Sequence, residues 1–319
     1  MVASAGDPRI RRSGIGGSDI AAIAGVSRWS SAMDVYLSKI GQAAPLIETE
    51  RMRWGNLLEG VVAKEYAHQT GRKVRQAPTT TDPVTGLRTR VIRHSTDKPW
   101  RMAHVDRLTS ERGRGFEAKT ADRFAASDFG EQGSDQVPPD YLLQCAWYMG
   151  VTGFAVWDLA VLIGGNNFRM YTIERDDELI EQLFTIGDDF WQTNVLPQVP
   201  PPIDGSEASR RFLEAGLVAP DEALPMSDDL YALALHHANL TQTIKDAEIT
   251  KDLVANKIRE AMQGHGKAQR YNAKVSWSVS TVRRLDTKAL AEAHPAIVAP
   301  FYVESAQPRL TVTVKEERS

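Results

Sequence analysis

The sequence contains one cysteine, Cys145. That excludes a disulfide framework, a cysteine-rich zinc site and an iron–sulfur cluster, and fits a reducing cytoplasm. No apolar run approaches the roughly 20 residues that a membrane-spanning helix needs, and residues 1–12 lack the apolar core of a secretory signal. A cytoplasmic protein without a membrane segment is therefore expected. Excess positive charge is also missing, since 38 Lys and Arg stand against 41 Asp and Glu, a formal net charge of −3. Passive coating of nucleic acid draws its affinity from neutralising many phosphates, so this balance excludes a coat protein and requires any phosphate site to gather its cations locally. The first thirty residues do so, with Arg9, Arg11, Arg12 and Arg28 against Asp7 and Asp19, whereas residues 120–190 are acidic. What is present is ordinary for a globular chain: 319 residues, 42% hydrophobic and 25% charged, enough for one large domain and a smaller one.

Gly14-Ile15-Gly16-Gly17-Ser18-Asp19 leads into an apolar run, residues 20–24, stopped by Gly25. Ser18 is the expected N-cap of a helix there, and the glycines allow close approach of whatever lies over its start. Such a helix start beside arginines suits a phosphate, and equally suits a capped surface helix. A second helix is expected over 31–40, closed by Gly41. A longer one spans 51–71, with Leu58, Val61, Val62 and Tyr66 as its apolar stripe and Glu59 beside that stripe.

Strands are expected over 73–77 and 89–94, then a hairpin whose arms are residues 102–108 and 115–120, joined by a polar loop. Side chains alternate along a strand, so Glu117 and Lys119 share a face. With Asp106 on the partner arm, two carboxylates and one ammonium converge. Together with the Ala118 carbonyl they suit a hard divalent cation, Mg²⁺ or Mn²⁺. Such an ion polarises a phosphoryl oxygen and acidifies water, while the lysine orients or deprotonates that water, which implies phosphodiester hydrolysis. Glu59 would add a third carboxylate. The same pattern also occurs as a solvated ion pair on a surface hairpin.

After the acidic loop 122–136, prolines precede a helix running to Met149, with Tyr141 and Gln144 on one face. Residues 154–163 read as a strand buried on both sides, paired with 168–173 and followed by an amphipathic helix over 176–194. The domain boundary is expected at the proline-rich stretch 197–205. That gives a catalytic domain 1–196, a linker 197–225 and an accessory domain 226–319. In the last, residues 229–263 form one long helix with a seven-residue apolar repeat, better packed on a small domain than free as a coiled coil. A strand over 273–280, a helix over 286–293 and a strand over 309–314 complete it.

Four motifs in order, Gly14 to Asp19, Trp54-Gly55-x-x-x-Glu59, Asp106 with Glu117-x-Lys119, and Tyr141-x-x-Gln144 before a strand pair ending Ile173-Glu174-Arg175-Asp176, make the chain through about Asn194 resemble the YqaJ-type viral recombinase exonucleases. These are relatives of phage lambda exonuclease within the restriction-endonuclease-like fold. The resemblance implies an α/β core with a mixed central sheet flanked by helices; it does not cover the last ninety or so residues, whose own pattern gives a small α+β region with a long helix. It implies that Asp106, Glu117 and the Ala118 carbonyl bind the metal, that Lys119 positions the attacking water and that Glu59 stands near the metal. Arg11 and Ser18, with Arg12 beside them, fall where the family contacts the 5′-terminal phosphate, and Gln144 with Tyr141 lies beside that pocket. His104 departs from the family's serine. The implied activity is 5′-to-3′ digestion of one strand from a double-stranded DNA end, leaving a 3′ overhang for a single-strand annealing protein, by a ring-shaped homotrimer. Other expectations compatible with these residues are an endonuclease of the same fold and a non-catalytic DNA-end-binding module.

Overall fold

The computed structural model describes residues 7–43, 48–105, 107–217, 224–304 and 308–314; Asp106 lies outside them. The chain divides into two compact units, residues 1–216 and 217–319. The first opens with helices α1 (Pro8–Arg12), α2 (Gly17–Ile23), α3 (Ala32–Ile40) and α4 (Glu50–Thr70). Ser31 and Thr49 cap the last two by accepting from backbone N–H groups, and Gly41 and Gly71 close them in the left-handed conformation. Helix α2 corrects the sequence reading. Gly16, not Ser18, is its N-cap, and Ser18 lies exposed inside the first turn. The cap is set by Asp19, whose carboxylate accepts from the Gly16 N–H at 2.9 Å.

The strands β1 (Val74–Gln76), β2 (Thr80–Thr81), β3 (Arg88–Thr89), β4 (Val91–Arg93), β5 (Met102–His104), β6 (Arg107–Thr109) and β7 (Arg114–Ala121) follow. A 3₁₀ turn, Arg123–Asp128, leads to α5 (Pro139–Thr152), then β8 (Val156–Ile163), β9 (Asn167–Glu174), α6 (Asp177–Phe190) with a π-helical extension Trp191–Val195, and α7 (Glu207–Ala215). Five strands form one sheet in the order β1-β6-β7-β8-β9. It is mixed, because β7 and β8 run parallel while their outer neighbours run antiparallel. The α5 crossover lets β8 return parallel to β7.

Alternation sorts the two faces of this sheet. Trp157, Leu159, Val161 and Ile163 of β8 turn to the side covered by α5, α2, α6 and Phe129. Phe116 of β7 and Ala160 of β8 turn to the other, where α4 packs Val62, Ala63 and Tyr66. Helix α4 thus buries Ala63 rather than Val61, which is 54% exposed. The expected α/β core with helices on both faces is the one observed.

Residues 197–216, expected in a linker, belong to the first unit. The Tyr36 hydroxyl donates to the Gln198 carbonyl at 2.8 Å, and α7 buries Ala208 and Ser209 and packs Phe212 on the main core. The prolines stiffen a segment that lies on the core instead of bridging two domains.

The second unit contains the 34-residue helix α8 (Asp228–Ala261), a hairpin of β10 (Lys267–Arg270) and β11 (Ala273–Ser276), and short helices α9 (Thr287–Ala293) and α10 (Pro295–Val298) before a 3₁₀ turn, Ala299–Phe301. No residue of α8 is buried, so the expected packing on a small domain is not observed. Met262 is the buried apolar residue of this unit among the described residues. Described residues 308–314 form no strand, against the expectation for 309–314.

Candidate active site

Among the described residues β6 and β7 are in register at Leu108 and Gly115. Beyond that pair lies a cleft lined by Glu59, Arg107, Phe116, Glu117 and Ala118, with about 250 Å³ of free volume open to solvent. Three of the expected residues, Glu59, Glu117 and Ala118, meet there, from two elements far apart in sequence.

Glu117 is held from the α5 side. Lys119 Nζ lies 2.7 Å from Glu117 Oε1, as the two-residue spacing on one strand face predicts. Gln144 Nε2 donates to the same oxygen at 3.0 Å and to the Tyr148 hydroxyl at 3.2 Å. The Tyr141 ring lies under the lysine, 5.3 Å from Nζ to the centroid. Burial lowers the Lys119 pKa, but the adjacent Glu117 carboxylate outweighs it and raises the lysine above its ordinary value. At neutral pH Lys119 is an ammonium that donates protons and does not accept them. Cys145, one residue beyond Gln144, is fully buried, and burial pushes its thiol well up, so it is no nucleophile.

Glu59 reaches the cleft but is tied down. Arg107 Nε donates to Glu59 Oε1 at 2.7 Å, a partner that no sequence motif announced. Helix α4 is itself anchored by a buried network. The Tyr66 hydroxyl makes a short hydrogen bond to Asp158, which also accepts from Arg114 at 2.7 Å and Thr172 at 2.9 Å. Burial, then the adjacent Asp158 carboxylate, drives the Tyr66 phenol above its usual range. Its signal in the sequence was a lone acid inside the apolar strand 154–163.

The glycine motif acts through packing. A Cβ on Gly17 would stand 2.7 Å from both Gln144 Cγ and Tyr148 Cε1, and one on Gly14 would stand 2.4 Å from the Trp100 carbonyl oxygen. Gly17 thus lets α2 lie against the α5 residues that hold Glu117, and Gly14 lets the chain pass close to the Trp100 backbone. Asp19 pairs with the fully buried Lys39 at 2.6 Å, and Lys39 also donates to the Arg11 carbonyl at 2.8 Å. Arg11, Arg12 and Ser18 do not line the cleft among the described residues. Arg12 Nε donates to the Pro8 carbonyl at 3.2 Å.

The donors on this cleft are carboxylate and carbonyl oxygens, the set that hard divalent ions take. Among the described residues no three His, Cys, Asp or Glu side chains cluster closely enough to form a metal cage. The second expected carboxylate, Asp106, lies outside the described residues. Among those residues no helix is long and apolar enough to cross a membrane.

Residues 8–155 match the YqaJ-like viral recombinase domain. Over 293 residues the chain is 30% identical to the uncharacterized protein YqaJ of Bacillus subtilis (strain 168), covering 90% of this chain and 87% of that one. Among solved structures, similarity extends to an alkaline exonuclease (LHK-Exo) from Laribacter hongkongensis, with a TM-score of 0.45 and 17% identity over 65% of this chain and 96% of that chain. It also extends to a phage related exonuclease from Haemophilus somnus 129PT, with a TM-score of 0.42 and 10% identity over 63% and 96%.

Proposed function

The chain belongs to the YqaJ-like viral recombinase family, and from that premise we propose that it is a metal-dependent exodeoxyribonuclease. It digests one strand of linear double-stranded DNA in the 5′-to-3′ direction and leaves a 3′ single strand for an annealing protein. The observation that carries this reading is the Glu117–Lys119 pair, held by Gln144 at a cleft that Glu59 and Ala118 also line. A surface ion pair would need neither the buried glutamine nor the cleft.

Glu117, the Ala118 carbonyl and Asp106 would hold Mg²⁺, with Mn²⁺ able to substitute. When bound, the ion supplies Lewis-acid polarisation of a phosphoryl oxygen and acidifies water. The protein's own groups do the rest. Gln144 Nε2 keeps one Glu117 oxygen engaged and so aims the other. Lys119 Nζ, charged and fixed by Glu117 and Tyr141, holds the attacking water by donating to its oxygen and faces the charge that develops on the phosphate. Glu59, released from Arg107 when a phosphate draws the guanidinium away, is the remaining carboxylate able to take a proton from that water. Arg11, Arg12 and Ser18 are assigned to the 5′-terminal phosphate, with Gln144 and Tyr141 bordering it. The active assembly is taken to be a cytoplasmic homotrimeric ring.

The test is digestion of a linear duplex with 5′-phosphate or 5′-hydroxyl ends, beside the same DNA as a covalently closed circle, with and without Mg²⁺. The expected result is Mg²⁺-dependent loss of the linear form, faster from phosphorylated ends, with the circle intact. Cutting of the circle would make the protein an endonuclease, and binding of ends without hydrolysis would make it a non-catalytic module.

A further inference from the structure

From residue 261 to residue 285 the chain carries Lys267, Arg270, Lys274, Arg283 and Arg284 and no Asp or Glu, in a protein of net charge −3. The centre of this stretch is the β10–β11 hairpin. Lys267 lies opposite Ser276 and Gln269 opposite Lys274. Directly opposed residues share a face, so one side of the ribbon presents Lys267, Gln269, Lys274 and Ser276, all exposed.

At the turn, Tyr271 has a φ of +53° and is 84% exposed. A bulky residue rarely adopts that conformation, which asparagine or glycine tolerates better. Here it holds an aromatic ring out in solvent, with the Arg270 guanidinium 5.0 Å from the ring centroid. The same guanidinium donates to the Tyr271 hydroxyl at 3.2 Å, but the ring covers no apolar core of the hairpin, in which Val275 is the one half-buried residue and the rest are exposed.

We propose that this hairpin binds single-stranded DNA. The cations track the phosphates and the Tyr271 ring stacks on an unpaired base. A positive ribbon would serve any phosphate backbone, but an outward ring gains most where base faces are uncovered, and stacking of that kind tolerates any sequence. The inference rests on the proposed function only in taking DNA as the nucleic acid.

The test uses the full chain carrying Lys119→Ala, without divalent metal, so that DNA survives. Binding of a labelled 20-nucleotide oligothymidylate and of a duplex of equal length is followed by fluorescence anisotropy across a salt series. In the combined variant Lys267→Gln, Arg270→Gln, Lys274→Gln, single-strand affinity should fall at least tenfold. Its dependence on log salt should flatten by about 2, since each phosphate contact on a single strand contributes about 0.7. Tyr271→Asn should weaken single-strand binding about tenfold without lowering the thermal midpoint, because asparagine accepts the turn, and Tyr271→Phe should retain binding. Unchanged affinity and salt slope in the triple variant, a larger loss on duplex than on single strand, or indifference to Tyr271→Asn would each overturn the proposal. Hydrolysis by the protein with Lys119 intact is measured separately. Its absence would end the nuclease reading and leave this one standing.

Discussion

Burial pulls the Lys119 pKa down and the Glu117 carboxylate 2.7 Å away more than restores it, and that balance decides what the lysine does. As an ammonium it positions water and meets developing negative charge. Lys119→Ala should therefore lower hydrolysis by about 10² or more while leaving binding of duplex ends largely intact, measured as single-turnover cleavage against anisotropy; near-native turnover would remove the assigned role. Gln144 acts through Glu117. Gln144→Ala should raise the Mg²⁺ concentration for half-maximal activity by about tenfold, in the range typical of groups that hold a metal ligand, and a variant that lost activity without moving this Mg²⁺ dependence would reveal a merely structural role. At this scale the sequence was legible where spacing is enough, as for Glu117 and Lys119. It was silent on Arg107, because only the fold brings that side chain to Glu59.

Helix α4 brings Glu59 to the cleft only while it stays seated on the sheet, and its seat is partly polar. Tyr66 donates to the buried Asp158, which Arg114 and Thr172 also satisfy. Tyr66→Phe leaves one lone pair of a buried carboxylate without its partner and should cost about 1–3 kcal/mol, read as a shift in the denaturation midpoint. An unchanged midpoint would mean that the network is dispensable. Helices α3 and α4 were readable to within a residue or two, with their closing signals at Gly41 and Gly71, whereas α5 runs to Thr152, three residues past the expected Met149. Short strands were not readable, because β2 and β3 hold two residues each, too few for a period to register. Helix α2 misled for a physical reason: serine is a good cap in general, but the reciprocal bond from Asp19 to the Gly16 N–H moves the cap two residues upstream.

Across the first unit, a buried carboxylate, Asp82, and a half-buried one, Asp188 of α6, tie separate segments together. Asp82 meets Arg93 and Thr85, and Asp188 meets Arg101, Lys98 and Trp100. Burial would raise both pKa values, yet these partners hold each at about 2. A carboxylate lower in the folded than in the unfolded state stabilises above the unfolded value and loses that contribution as pH falls through the folded one. The contribution of these two groups should therefore be constant above about pH 5 and fall between about pH 4 and pH 2, by about 2 kcal/mol for each group. Thermal melting across that range checks it, and Asp188→Asn should flatten the fall; an acid transition unaltered by that change would assign the loss to other groups.

The linear order of residues by itself determined the two-residue spacing of Glu117 and Lys119, the amphipathic and buried segments, the family likeness and the acid-free basic stretch, because each is a matter of local periodicity or composition. Only the tertiary structure decided that α4 and β7 share a cleft, that α5 grips Glu117 through Gln144, that the glycine motif exists for close packing and that the proline-rich segment lies on the core. Each of those depends on which distant surfaces bury one another. That is settled by the total apolar area and the paired polar groups of the whole unit, and no single stretch of chain contains it.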